Sequence, residues 1–142
     1  MKHRVSVMQI MTPKPVVLNK KDSLEEAEKL FKKHNIRHIP VVDGKKIIGM
    51  LSLTDLLRIS YADVAMEDND ESGVEAVVYN MFTIPQVMTR TPMTVDVKTT
   101  IREVAEILAR ENFHALPVTE NDELVGIVTT TDLINYLLLQ FY

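Results

Sequence analysis

The stretch Gly126–Leu133, which reads GIVTTTDL, decides the fold because the chain contains a second version of it. That version is GMLSLTDL at Gly49–Leu56, 77 positions earlier (126 − 49). In both, a glycine leads into an apolar strand, hydroxyl residues end the strand, and an aspartate stands where an apolar helical pattern begins. We therefore predict a strand that runs directly into a helix, twice in one chain.

The polar groups at this strand–helix junction can either bind a ligand or cap the helix. The first backbone N–H groups of a helix have no partner inside it and can face a phosphate, and a carboxylate can accept hydrogen bonds from two sugar hydroxyls. Ser52 with Asp55, and Thr129 with Asp132, also fit an N-cap followed by an acidic third helical residue. Both interpretations stay open, since they use the same exposed helix start.

The two stretches belong to a longer internal repeat at one constant offset. The matching positions are Met11-Thr12 with Met88-Thr89, Pro15 with Pro92, Ser23 with Thr100, Asn35 with Asn112, Pro40-Val41 with Pro117-Val118, and Gly49 with Gly126. Each copy predicts strand, helix, strand, turn, strand and helix, and the first of these strands lies at Pro15–Leu18. Two such copies make one α/β (α+β) protein in which neither is expected to bury its core alone.

We assign residues 8–59 to repeat 1, residues 60–84 to a connector and residues 85–140 to repeat 2. The connector is acidic and is interpreted as flexible. Its acidic residues lack the alternating spacing and late glutamate of a calcium loop; they are Glu67, Asp68, Asp70 and Glu71. No metal site is predicted there, and His34 with His38 lacks a third ligand for zinc.

Composition excludes several classes of protein. The chain has 142 residues, a net charge of −4 and no cysteine. An acidic balance disfavours nucleic acid as a partner, and the absence of cysteine excludes a disulfide scaffold. No apolar run has the length of a signal peptide core or of a membrane span, so we expect no membrane contact and a cytoplasmic location.

The C-terminal segment is apolar on more than one face of its predicted helix. Its apolar residues are Leu133, Ile134, Tyr136, Leu137, Leu138, Leu139, Phe141 and Tyr142. Such a surface needs a cover from the fold or from a partner, and we expect a homodimer.

The ordered set of motifs resembles the CBS domain. The set is Met-Thr, Pro-Val, an amphipathic helix, Ile-Pro-Val-Val-Asp, and the glycine-to-leucine stretch, and two sets from Met8 to about Leu138 look like a CBS pair, or Bateman module. The resemblance implies β-α-β-β-α repeats with three-stranded sheets, packed with pseudo-twofold symmetry around two clefts. It implies a regulatory sensor without catalytic residues or a required cofactor. Its ligand would be an adenine nucleotide or related adenosine compound: AMP, ADP, ATP or S-adenosylmethionine.

In the first cleft, the resemblance implies that Asp55 holds the ribose hydroxyls. The residues that would contact ribose or phosphate are Ser52 and Thr54, those that would border the adenine are Thr91, Pro92, Phe113 and His114, and those that would face the phosphates are Arg37 and His38. A guanidinium suits a phosphate because it donates two parallel hydrogen bonds.

In the second cleft, the resemblance gives the ribose to Asp132. Its hydroxyl donors would be Thr129 and Thr131, and its adenine side would be Lys14, Pro15, Ile36 and Arg37. The sequence departs from the usual pattern here, because Lys14 stands where repeat 2 has Thr91, and Ala115 replaces the basic His38. Only His114 remains as a phosphate partner, so we rank this cleft below the first.

Each assignment has a purely structural alternative. The two aspartates can act only as helix caps, Phe113 can be a packing residue, and Arg37 and His38 can be exposed residues before a strand. The matching alternative function is a structural or partner-docking module that binds no nucleotide. An enzyme is disfavoured, because no nucleophile or cofactor motif accompanies His114 and Asp55.

Overall fold

The chain forms two compact units in a computed structural model that describes residues 4–64, 79–90 and 92–142. Unit 1 comprises Met1–Pro15, Lys45–Ile47 and Pro92–Tyr142, and unit 2 comprises Val16–Gly44 and Ile48–Thr91. A short 3-10 helix lies at Val7–Gln9. The other elements are β1 (Thr12–Pro13), β2 (Leu18–Asn19), α1 (Leu24–His34), β3 (His38–Asp43), β4 (Lys46–Ser52), α2 (Leu53–Val64), α3 (Ile84–Val87), β5 (Thr89–Arg90), β6 (Val95–Asp96), α4 (Ile101–Arg110), β7 (Ala115–Glu120), β8 (Glu123–Thr129) and α5 (Thr130–Leu139). The predicted α+β class is confirmed.

Unit 2 is built on a four-stranded sheet in the order β2-β3-β4-β5. Helix α1 begins at Ser23, whose side chain accepts a hydrogen bond from the Glu26 N–H, and ends at Asn35 in the left-handed conformation. A glycine suits the β3–β4 turn because Gly44 has φ of +66°. The apolar core of this unit consists of Leu18, Leu24, Ala27, Phe31, Ile39, Val41, Leu51, Leu56, Tyr79 and Ile84.

Unit 1 repeats the same architecture with the order β1-β8-β7-β6. Thr100 and Glu103 form a reciprocal capping box at the start of α4. The β7–β8 turn has positive φ at Asn121 and Asp122, a conformation that these residue types tolerate. The core of this unit consists of Val7, Val95, Val97, Val104, Leu116, Val118 and Val128.

The first short strand of each repeat pairs with the last long strand of the other repeat. Strand β1 is antiparallel to β8, with Pro13 opposite Gly126, and β5 is antiparallel to β4, with Arg90 opposite Gly49. Each sheet therefore has four strands rather than the expected three, and the strand expected at Pro15–Leu18 shrinks to β2. A two-residue strand gains stability only by covering an existing sheet edge, and it satisfies edge groups of β8 or β4 that would otherwise be unpaired.

Both ends of the segment that we assigned to the connector contribute to unit 2. Helix α2 extends to Val64, and Tyr79 and Ile84 are buried in the core. Partial burial raises the pKa of the Glu28 carboxyl, but hydrogen bonds from Lys32 and Tyr79 outweigh it and bring the pKa below its usual value. The acidic stretch itself, at 65–78, lies outside the described residues, as does Thr91.

Within the described ranges, no helix combines the length and the apolar character needed to span a bilayer. The same ranges contain no cluster of three or more histidine, aspartate or glutamate side chains arranged to hold a metal ion.

Candidate functional site

The two strand–helix junctions have the same capping geometry. The Ser52 Oγ accepts a hydrogen bond from the Asp55 N–H at 3.0 Å, and the Thr129 Oγ1 accepts one from the Asp132 N–H at 3.2 Å. Both hydroxyls therefore satisfy backbone donors that a helix start leaves unpaired. At both junctions the hydroxyl therefore acts as an N-cap, as the sequence suggested, and the aspartate lies in the first turn of its helix.

The two carboxylates differ in their own partners. The Asp132 Oδ2 accepts a hydrogen bond from the Thr129 N–H at 2.8 Å, which completes a capping box. The Asp55 Oδ1 instead lies 3.6 Å from the Arg58 Nη1. A carboxylate has about four acceptor positions, so both groups keep capacity for the hydroxyls of a ligand.

A backbone hydrogen bond ties the loop before each central strand to the adjacent junction. In unit 2 the Leu53 N–H donates to the Arg37 carbonyl at 2.9 Å, and in unit 1 the Thr130 N–H donates to the His114 carbonyl at 2.9 Å. Arg37 and His114 are therefore fixed beside the start of α2 and of α5 respectively. Unit 2 brings Arg37 and His38 together with Ser52, Thr54 and Asp55, and unit 1 brings His114 together with Thr129, Thr131 and Asp132.

Two residues assigned to the adenine contribute to packing within their own unit. Phe113 is half-buried and packs against the core of unit 1, and Ile36 does the same in unit 2. The packing interpretation of Phe113 thus agrees with the structure. Pro92 is half-buried in unit 1.

Lys14 lies away from the Asp132 junction. Its N–H donates to the Val125 carbonyl at 3.2 Å, and Val125 precedes Thr129 by four positions (129 − 125) along β8. At about 3.3 Å per residue, that is roughly 13 Å along the strand. Thr12, which pairs with Ile127, is nearer to the junction. Sequence reasoning did not single out Thr12 as a site residue, although the Met-Thr motif shared by both repeats is a signal that could have done so.

An open groove of about 870 Å³ lies within unit 1 and contains Asp132. One wall is the N-terminal segment and the other is one face of α5; the lining residues are Arg4, Val5, Ser6, Gln9, Ile10, Asp132, Asn135, Tyr136 and Leu139. Among these residues, sequence reasoning identified only Asp132 as a ligand-site residue. The helical spacing of positions 132, 135, 136 and 139 signals one face of a helix, but no local pattern signals that Arg4 reaches this face.

This chain is a member of the CBS domain family. The family's sequence model matches residues 7–62 and 84–139, which together cover most of the chain and both repeats. Among curated relatives, an inosine-5'-monophosphate dehydrogenase of Korarchaeum cryptofilum is 30% identical over 118 residues, which are 82% of this chain and 21% of the relative. The chain spans only 21% to 43% of the length of the first five curated relatives.

Solved structures of CBS pairs have the same fold. The CBS domain pair of protein MJ0100, solved with 5'-methylthioadenosine and S-adenosylmethionine, is 28% identical, with a TM-score of 0.75 and coverage of 97% of this chain and 98% of that one. The CBSX2 protein of Arabidopsis thaliana, solved in complex with AMP, has a TM-score of 0.78 at 23% identity and covers 97% of this chain and 99% of its own. At 23% identity, the similarity to CBSX2 shows only that the two proteins share a fold.

Proposed function

We propose that this protein is a regulatory module that binds an adenosine compound at its two strand–helix junctions and carries out no chemistry of its own. The observation that carries the proposal is the duplicated junction, in which a capped helix start presents a half-buried carboxylate beside hydroxyl groups. A carboxylate of this kind can accept hydrogen bonds from the two hydroxyls of a ribose. The ligands of the MJ0100 domain pair, which both contain adenosine, support the same ligand class.

We assign the ligand contacts as the sequence suggested, with one change. Asp55, Ser52 and Thr54 contribute to one site with Arg37, His38, Thr91, Pro92, Phe113 and His114. Asp132, Thr129 and Thr131 contribute to the other with Pro15, Ile36 and Arg37. Thr12 replaces Lys14, because Lys14 aligns with Val125 rather than with the helix start. The thermal-shift series described below distinguishes among AMP, ADP, ATP and S-adenosylmethionine as the ligand.

The proposed mechanism is differential binding. A ligand regulates only by as much as its affinity differs between two conformations of the protein, and an effector protein must then distinguish those conformations. The chain spans a small part of its first curated relatives, so the effector is either a separate protein or a further domain. We further propose a cytoplasmic location, which the cysteine-free composition supports.

Adenine nucleotides are expected to raise the melting temperature of the protein. A ligand present at a hundred times its Kd and bound only by the native state adds about 2.7 kcal/mol to the free energy of unfolding, which corresponds to several degrees. The measurement is a thermal-shift series with AMP, ADP, ATP and S-adenosylmethionine, with cytidine monophosphate and inorganic phosphate as controls. No shift by any adenosine compound at millimolar concentration would favour the partner-docking alternative.

A homodimer is the second part of the proposal. Helix α5 has no buried residue, and several of its apolar side chains are exposed, among them Ile134, Leu137 and Leu138. A second copy would remove this apolar surface from water. Light scattering should give twice the chain mass of 16.2 kDa, and Leu138→Glu should shift the mass toward the monomer while Gln140→Glu does not. A monomer mass for the unmodified protein at high concentration would refute the dimer.

A further inference from the structure

Arg4 is a cation that lines the groove in unit 1 and belongs to neither of the two ligand sites assigned above. Arg4 is exposed and lines the groove together with Asp132, although the two residues are 128 positions apart (132 − 4). The sequence left the Asp132 site short of basic groups, because Ala115 stands where repeat 1 has His38. Arg4 is thus a positive charge on the same groove as the carboxylate that would hold the ribose.

The segment that carries Arg4 is held in place by the core of unit 1. The Ile101 N–H donates to the Val5 carbonyl at 2.8 Å, and the Val7 N–H donates to the Thr99 carbonyl at 2.8 Å. The Ser6 hydroxyl donates to the Val97 carbonyl, and the Val7 side chain is fully buried. A wall fixed by hydrogen bonds and by a buried side chain needs little ordering when a ligand binds, and preorganisation of this kind favours affinity.

The opposite wall offers groups suited to a nucleoside. Asp132, Asn135, Tyr136 and Leu139 lie at helical spacings of three and four and therefore share one face of α5. They provide a carboxylate, an amide, an aromatic ring and an apolar side chain, while Gln9 adds a second amide from the first wall. A volume of about 870 Å³ lies within the usual range of small-molecule sites, about 300–1,000 Å³.

The equivalent charges are arranged differently in unit 2. At the constant offset, Arg4 corresponds to Met81, and Asn135 corresponds to Arg58 (81 − 4 = 135 − 58). The cation of unit 2 is therefore on the helix, where it already lies 3.6 Å from the Asp55 carboxylate. In unit 1 the cation is on the N-terminal segment, and the matching helix position carries an uncharged amide. A phosphate in the unit 1 groove would meet the Arg4 guanidinium, which forms no ion pair within the part of the chain that the structure describes.

We propose that Arg4 is the phosphate-binding residue of the Asp132 site, so that this site prefers phosphorylated adenosine over adenosine itself. The inference rests on the proposed function, since it assumes that Asp132 holds a ribose. The guanidinium would donate hydrogen bonds to the phosphate oxygens, as arginine does in anion sites generally. An uncharged adenosine compound would fill the same groove without using Arg4.

The test uses the full chain with Asp55→Ala, which silences the other junction, and compares AMP with adenosine by isothermal titration calorimetry. Adding Arg4→Ala should weaken AMP binding roughly three- to tenfold and leave adenosine binding unchanged, because only AMP carries the charged group. The matched control is Arg102→Ala, since Arg102 is an exposed arginine of unit 1 that pairs with Glu106 outside the groove. Raising the salt concentration should weaken AMP binding more in the protein with Arg4 than in the protein without it.

Four outcomes would overturn the inference. AMP affinity that is unchanged by Arg4→Ala means that the guanidinium does not contact the phosphate. Equal losses for AMP and adenosine mean that Arg4 acts on the shape of the groove. If the Asp55→Ala background binds neither ligand while the unmodified protein binds AMP, the Asp132 site is not a nucleotide site, and the proposed function stands for the Asp55 junction alone. If the unmodified protein also binds neither, both proposals fall.

Discussion

Asp55→Ala is expected to lower the affinity for AMP by about ten- to a hundredfold, which is more than Asp132→Ala lowers it. The reason is the number of charged groups around each carboxylate. Asp55 shares unit 2 with Arg37 and His38, and Arg58 lies 3.6 Å from its Oδ1. In the Asp132 site Ala115 stands in the place of His38, and the groove that contains Asp132 is lined by one cation, Arg4. Isothermal titration calorimetry of the two variants measures this difference directly.

Asp132→Ala is expected to lower the free energy of unfolding more than Asp55→Ala does, which is the reverse of their order for AMP affinity. Asp132→Ala removes the acceptor of the Thr129 N–H and thus one half of a capping box, which costs about 1 kcal/mol of unfolding free energy. Asp55→Ala removes only a long ion pair with an arginine whose side chain is 73% exposed, and such a pair contributes little. Urea unfolding of the same two proteins should therefore show the larger loss at Asp132.

The control is Asp43→Ala, because Asp43 is an exposed aspartate of unit 2 that also forms an ion pair, to Lys20 at 3.0 Å. It lies at the end of β3 that is remote from Arg37 and His38. Its removal should leave AMP binding unchanged. Equal losses of affinity at Asp55 and Asp132 would show that we have ranked the two sites wrongly. If both variants bind AMP with the affinity of the unmodified protein, neither carboxylate holds a ribose.

Gly126→Ala is expected to lower the free energy of unfolding by about 1–3 kcal/mol, which is more than Gly49→Ala lowers it. An added Cβ at Gly126 would lie 2.5 Å from the Met11 Sδ and 3.0 Å from the Thr12 carbonyl oxygen. The carbonyl belongs to β1, which is paired with β8, so it cannot move without breaking that pairing. At Gly49 the three nearest atoms all belong to the Met88 side chain, the closest at 2.2 Å, and a flexible thioether chain can rotate away.

Urea denaturation of both variants provides the comparison. Gly44→Ala is a useful third protein, because a Cβ there meets no atom within 4 Å and only the φ of +66° opposes it. A loss at Gly126 that is no larger than the loss at Gly49 would contradict the role given to the Thr12 carbonyl. Displacement of β1 should also disturb the segment before it, so Gly126→Ala is expected to weaken AMP binding at the Arg4 groove.

Much of the fold was available from local patterns. The junctions at Ser52 and Thr129 were predicted, and so was the order of strand, helix, strand, turn, strand and helix in each repeat; the structure has both. Each depends on groups within about four positions of one another, so a short stretch of sequence contains all the information. The internal repeat then supported every such prediction twice, which is why the family resemblance was visible and was confirmed by the family's sequence model.

Two features were decided only by the tertiary structure, and both join residues that are far apart in sequence. One is the pairing of β1 with β8 and of β5 with β4, which gives four strands per sheet instead of three. The other is the groove that contains both Arg4 and Asp132. Strand pairing uses backbone N–H and C=O groups, which are the same in nearly every residue, so a pattern of side chains tells which face is buried but not which edge a short strand will cover. Sequence therefore determined the two junctions and their carboxylates, whereas the folded chain decided that the distant Arg4 lines the same groove as Asp132.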